Sequence, residues 1–436
     1  MRRALTVVVV LLLLAGLVPA SPTAAPLAHR EVLGNGIVLL VAERPAIPIV
    51  AVRVNTRAGA VLDPPDKGGL ANLMGATLTR GTAKRSGPEL DAAIEFVGGS
   101  LEAGAGRDGM TASLSVLKKD LDLGLDLLQE VVLSAAFPDA EVKRKVSEIQ
   151  AAIKRSEENP EAVAARALSP LVYAGHPYGR PAEGTVESVG KLTRDDVVAF
   201  YRERVRPDNA IIAVVGAITV DEARQAIQKR FGGWKPPATP LPAVPDAPPG
   251  PAPQQKTITR ELTQATILMG RQAVRQVHPD YFPLAVASYI LGGGSASRLY
   301  GRVRDEGGQA YAVYSYVSPA RHGASFVVSA QTRTAEVPKV VDTLQKELER
   351  MGREPVADRE LGLAKSYLIG SFPFRLDTSS KVADFLVAIE SQGLGLDYAD
   401  RYIAGVGRVT AADVQRVAGT YFTPDQFNRV VVGKLP

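Results

Sequence analysis

The segment LTRDDVVAFYRERVRPDN (Leu192 to Asn209) lies without gaps over VTAADVQRVAGTYFTPDQ (Val409 to Gln426), pairing Thr193 with Thr410, Asp196 with Asp413 and Pro207-Asp208 with Pro424-Asp425 at a separation of 217 residues. At the same separation Val214-Val215-Gly216 meets Val431-Val432-Gly433, Pro138 meets Pro355 and Leu127 meets Leu344. A register shared over so long a span marks a duplication, and it constrains the fold more than any single motif: what one half builds, the other builds again. The stretch WKPPATPLPAVPDAPPGPAPQQ (Trp234 to Gln255) is too rich in proline for a central strand or a helix interior and reads as an extended, stiff linker. The chain thus divides into a first half at residues 26–233, a linker at 234–255 and a second half at 256–436.

Within each copy the threonine with an acid three residues on, Thr193 with Asp196 and Thr410 with Asp413, is a capping-box pattern opening a helix that ends before a proline. Buried strands of the type AIIAVVG and RVVVG follow. Early in the first half Asn35-Gly36 makes a turn between apolar runs, and IVAVRVNTRAG adds a strand. Ser86-Gly-Pro-Glu-Leu opens a helix with Leu90, Ile94 and Val97 on one face, ended by Gly98-Gly99. A longer helix runs from Asp139 to about Glu158 with Val142, Val146, Ile149 and Ile153 in a stripe. The expected class is α+β: two homologous halves, each a mostly antiparallel sheet packed with helices on one side.

Met1-Arg2-Arg3, the apolar run from Ala4 to Val18 and the small residues Ala20 and Ala24-Ala25 have the layout of a secretory signal peptide over residues 1–25, with an uncleaved membrane anchor as the other reading. No other apolar run is long enough to span a bilayer, so no span is expected after cleavage, and export to a periplasm-like space follows. The chain has no cysteine, which excludes disulfides, thiolate metal sites and a cysteine nucleophile. A net charge of +5, about +3 without Arg2 and Arg3, and no dense Lys/Arg block argue against nucleic-acid binding.

No G-x-S-x-G elbow occurs, and GGGSAS (Gly292 to Ser297) lacks the Lys-Ser/Thr ending of a phosphate loop. The four histidines, His29, His176, His278 and His322, never share the spacing that puts two imidazoles on one helix face. His176, in AGHPYGRPAEGT, reads as a hydrogen-bonding loop residue, and Glu148, Glu157 and Glu158 as a solvated helix face.

DPPDKGGLANLMGATLTRGT (Asp63 to Thr82) resembles the active-site segment of insulinase-type (inverted-zincin) peptidases. Active members read G-x-A-H-x-x-E-H there, with two zinc-binding histidines and a glutamate base. This chain has Asn72, Gly75 and Ala76 in those places, and Ala152 at the position of the family's third ligand, a glutamate. Glycine and alanine can neither bind a metal nor accept a proton, so the resemblance implies no cofactor in this chain. In the second half LGGGSASRLYGRVRDEGGQAYAVYSY (Leu291 to Tyr316) resembles the family's C-terminal half, and Arg304 and Tyr311 match the arginine and tyrosine that hold substrate and stabilise charge on the scissile carbonyl. Gly292, Gly293 and Gly294 are expected to turn the backbone tightly into the helix bearing Arg298 and Arg304, with Ser295 or Ser297 near its cap and with a secondary part in peptide contact.

The resemblance covers about Leu33 to Lys434. It implies a non-catalytic subunit of a two-chain zinc metallopeptidase: a heterodimer in which a homologous partner chain carries the zinc and this chain supplies Arg304 and Tyr311 to peptide substrates. The readings set against it are a structural or peptide-binding scaffold with no proteolytic role, and a peptidase using other residues.

Overall fold

The computed structural model describes residues 26–434, so the leader assigned to residues 1–25 lies outside the described residues. The strands are β1 His29–Val32, β2 Val38–Glu43, β3 Ile49–Thr56, β4 Ser100–Ala105, β5 Met110–Leu117, β6 Ile211–Gly216, β7 Gln255–Ile258, β8 Gln264–Gln272, β9 Ala310–Ala320, β10 Gly323–Arg333 and β11 Asn428–Val432. In the first half the helices are α1 Leu70–Thr77, α2 Gly87–Phe96, α3 Leu121–Leu133, α4 Asp139–Ser156, α5 Pro160–Val172, α6 Val186–Gly190, α7 Arg194–Arg204 and α8 Val220–Phe231. The second has α9 Tyr281–Gly292, α10 Val337–Arg353, α11 Asp358–Ser371, α12 Ser379–Ser391, α13 Tyr398–Arg408 and α14 Ala411–Tyr421.

The strands form two sheets, in the order β1-β2-β6-β3-β5-β4 and β7-β11-β8-β10-β9. Only β2 with β6, and β7 with β11, run parallel; every other pair is antiparallel. The plan is repeated strand for strand from β2 and β7 onward, and α7 and α14 begin and end 217 residues apart. Both of these helices carry the expected capping box, with Thr193 accepting from Asp196 N–H and Thr410 from Asp413 N–H. The Ser86–Glu89 box opens α2, and Gly98, at φ 63°, ends that segment in the left-handed conformation that suits glycine.

Side chains alternate across each strand, so each sheet has two faces to bury. On the first sheet Leu39, Val41, Val50, Val52, Val54, Ile212 and Val214 pack against the first half's own helices. The opposite face, with the small residues Ala42, Ala51 and Ala213, takes α12 from the second half. The second sheet reverses the debt: Ile267, Met269, Phe326 and Val328 face their own helices, while Leu268, Val327, Val430 and Val432 pack on α5 of the first half. Helices thus lie on one side of each sheet as the sequence implied, and a helix exchanged between halves covers the other. This explains why β6 is buried at every position. Gly270 permits the crossing: a Cβ there would lie 2.7 Å from Leu168 Cδ2.

Residues 234–254 carry neither helix nor strand and lie across both halves. Asn35 Nδ2 donates to the carbonyls of Phe231 and Trp234, Ala247 N–H to His322 O at 2.7 Å, and Gln272 Nε2 to Pro248 O at 2.7 Å. Among the described residues no helix is long and apolar enough to cross a membrane.

Candidate functional site

Helix α1 carries Asn72, Gly75 and Ala76. Its N-terminus is held by Asp63, whose carboxylate oxygens accept the Gly69 and Ala71 N–H groups at 2.8 Å each, while Arg180 donates to the Asp63 and Pro64 carbonyls. Asp63 is buried, and burial outweighs these hydrogen bonds, pushing its carboxyl up to about 6. Gly69, at φ 92°, approaches so closely that a Cβ would lie 2.6 Å from Glu183 O.

The inner side of α1 lies on the backbone of β4. A Cβ at Gly75 would be 2.3 Å from Ala105 N and 2.6 Å from Gly104 C, so no side chain fits at the position where the family's pattern has its base. Asn72 and Ala76 are half-buried, and Ala152 is exposed on α4. Asn72 is then the one side chain of the four with a donor atom, which is no ligand set for zinc. Among the described residues no three of His, Asp and Glu converge on a point. Glu148 is on the exposed part of α4, paired with Arg144 and, at 2.8 Å, with Lys145; Glu157 and Glu158 are exposed as well.

In the second half, Tyr300–Glu306 winds as a wide π-type turn bearing Arg304. Three arginines project from this region. Arg298 is held by both oxygens of Glu360 at 2.8 Å and Arg302 by Glu306 at 2.6 Å, but Arg304 has no carboxylate partner among the described residues. Its guanidinium carbon sits 4.8 Å from the centroid of the Tyr300 ring and is exposed. The chain turns at Gly308, φ 56°, and enters β9, the edge strand of its sheet.

Tyr311 is the extra residue of a β-bulge: Ala310 pairs with Thr332 and Ala312 with Gln331, leaving Tyr311 unpaired and 62% exposed. A bulge re-aims one side chain without breaking the strand, and here it turns a phenol outward from an edge. Arg304 and Tyr311 thus stand on the two sides of a single turn, both with free functional groups.

The glycine-rich segment differs from expectation. None of Gly292, Gly293 and Gly294 has a positive φ, so the tight turn expected of them is absent. Glycine is required instead by contact: a Cβ at Gly292 would lie 2.5 Å from Ser315 N, and one at Gly293 2.4 Å from Tyr289 Cδ2, whereas Gly294 has room. Nor does a serine cap the following turn; Ser297 Oγ is buried without a hydrogen-bond partner. His176 is the loop residue it was expected to be, its Nδ1 accepting Tyr178 N–H and its Nε2 facing Pro245 O, each at 3.1 Å.

Residues 38–186 match the model for insulinase (peptidase family M16), and residues 191–368 match that for the peptidase M16 inactive domain. The chain belongs to the insulinase family. It is 26% identical over 357 residues to an uncharacterised zinc protease of Bacillus subtilis, covering 81% of this chain and 86% of the relative. An uncharacterised zinc protease of Mycobacterium bovis is 29% identical over 372 residues, 83% of each chain. The crystal structure of a peptidase M16 inactive domain from Pseudomonas fluorescens superposes with a TM-score of 0.88 at 23% identity, covering 94% of this chain and 98% of that one. A protease from Helicobacter pylori gives 0.85 at 21% identity over 94% and 100%. These two likenesses establish the insulinase fold.

Proposed function

We propose that this insulinase-family chain is the non-catalytic subunit of a two-chain zinc metallopeptidase, exported to the periplasm through its first 25 residues. In this reading a homologous partner chain holds the zinc and the general base. The present chain completes the peptide-binding chamber, with Arg304 and Tyr311 donating hydrogen bonds to an extended peptide and toward the carbonyl on which charge develops. The observation that carries the reading is a contrast within one chain. The α1 position of the base is closed by the β4 backbone, while Arg304 alone among its neighbouring arginines is left without a carboxylate. An unpaired arginine beside an outward-turned phenol suits a peptide carbonyl.

The test is hydrolysis of a quenched fluorescent peptide by the purified chain with zinc, alone and mixed with an H-x-x-E-H homologue from the same organism. Cleavage above the homologue's own rate only in the mixture, and its loss in Arg304→Ala and Tyr311→Phe, is the expected result. No gain in the mixture would favour a peptide-binding scaffold, and cleavage by the chain alone would overturn the inactive reading of α1.

A further inference from the structure

Away from α1 and Arg304, the tips of two hairpins meet. Tyr178 joins them: its hydroxyl donates to Asp108 Oδ1 at 2.5 Å, beside the β4–β5 tip, and accepts the His322 N–H at 3.0 Å from the β9–β10 tip. Asp108 Oδ2 accepts the Arg321 N–H at 3.4 Å, so both oxygens of this carboxylate are engaged by neutral donors. The linker residues Leu241 to Val244 pass over the junction, leaving a cleft of about 420 Å³ into which Arg57 and Arg321 both project.

The charge in this cleft is uncompensated. Among the described residues neither the Arg57 nor the Arg321 guanidinium makes an ion pair or a side-chain hydrogen bond, and Arg107 lies over the Tyr178 ring at 4.9 Å. Arg321 is half-buried, and burial together with the charge of Arg57 makes its cation costlier to hold, lowering its pKa. Leaving two guanidinium groups side by side in a partly desolvated cleft is unfavourable unless something anionic arrives.

We infer that the cleft beneath the linker binds a small oxyanion, a carboxylate or a phosphate, clamped between Arg57 and Arg321. The forked donors of two arginines suit such a group, which accepts several charge-assisted hydrogen bonds at once. The volume is that of a small-molecule site and would hold an organic acid or the last residue or two of a peptide. Both halves and the linker contribute, so ligand binding would fasten the junction.

Calorimetric titration of the purified chain at fixed ionic strength, with inorganic phosphate, with N-acetyl-dialanine bearing a free carboxylate, and with its amide, tests this. At least one of the two anions should bind, the amide should not, and comparison of the anions identifies which chemistry is preferred. Arg57→Gln is the first variant because Arg57 is exposed and its loss should leave the fold intact; it and Arg321→Gln should each weaken binding at least tenfold, roughly the value of one charge-assisted bond. Arg359→Gln, an exposed arginine on α11, should bind as the parent does. Failure of both anions to bind, equal binding of the amide, or undiminished binding by a folded Arg57→Gln would overturn the proposal.

Discussion

Arg53 Nε donates to Asp384 Oδ1 across 2.6 Å, tying a central strand of the first sheet to the helix that the second half contributes. Arg53 is 8% exposed, and its other contacts are the carbonyls of Val52 and Leu114. Asp384→Ala would leave that guanidinium buried without a carboxylate. Because Asp384 itself remains largely exposed, the expected loss is about 2–3 kcal/mol, below the range for a fully buried pair. The double variant Arg53→Met/Asp384→Leu should recover most of it, as measured by urea unfolding.

Gly75→Ala should destabilise the chain by about 1–3 kcal/mol, since the added methyl must push α1 away from the β4 backbone. Restoring the motif with Asn72→His, Gly75→Glu and Ala76→His should for the same reason fail to create a stoichiometric zinc site. Metal analysis after dialysis, beside a thermal melt, reads both effects.

Asp63 gives a pH dependence of a definite sign. Its carboxyl stands at about 6 in the fold, above the ordinary value near 3.9 in the unfolded chain, so the native state holds the extra proton between these values. The contribution is present below about pH 4 and lost as pH rises through about 6, a change on the order of 3 kcal/mol. Asp63→Asn should remove this slope, so that the stability difference between parent and variant shifts against the parent from pH 4 to pH 7. A difference that stays flat would mean that the helix N-terminus and Arg180 hold the group ionised.

Arg304→Ala and Tyr311→Phe should leave the melting temperature nearly unchanged, within about 0.5 kcal/mol, because both side chains are exposed and neither is tied into the fold. Each should nonetheless lower kcat/KM of the mixed enzyme about 10- to 100-fold. A large stability loss in either would assign them a structural role.

The duplication, the capping boxes at Thr193 and Thr410 and the strands around Val214 and Val431 were legible because each depends on residues within a turn or a strand of one another. The exchange of α5 and α12 was not. It is a contact between segments more than two hundred residues apart, and the amphipathic pattern of a helix states only that it has an apolar face, not whose sheet the face will meet. Local reading also misjudged Gly292 and Gly293, whose lack of a side chain answers to Ser315 and Tyr289 and not to a turn. The outward aim of Tyr311 depends on a one-residue register shift, which an alternating pattern cannot disclose. At Gly75 the substitution was visible, but its physical meaning, a helix seated on strand backbone, needed the fold.

The traded helices also bear on how such a chain can come apart. A half-length protein of the same pattern would have one sheet face bare, with Leu268, Val430 and Val432 or their counterparts in water, and two such proteins would cover each other only by swapping that helix. The fused chain holds in one molecule what a single half could build only as a pair. Cutting the backbone within residues 234–254 should therefore yield two fragments that stay together and melt as one.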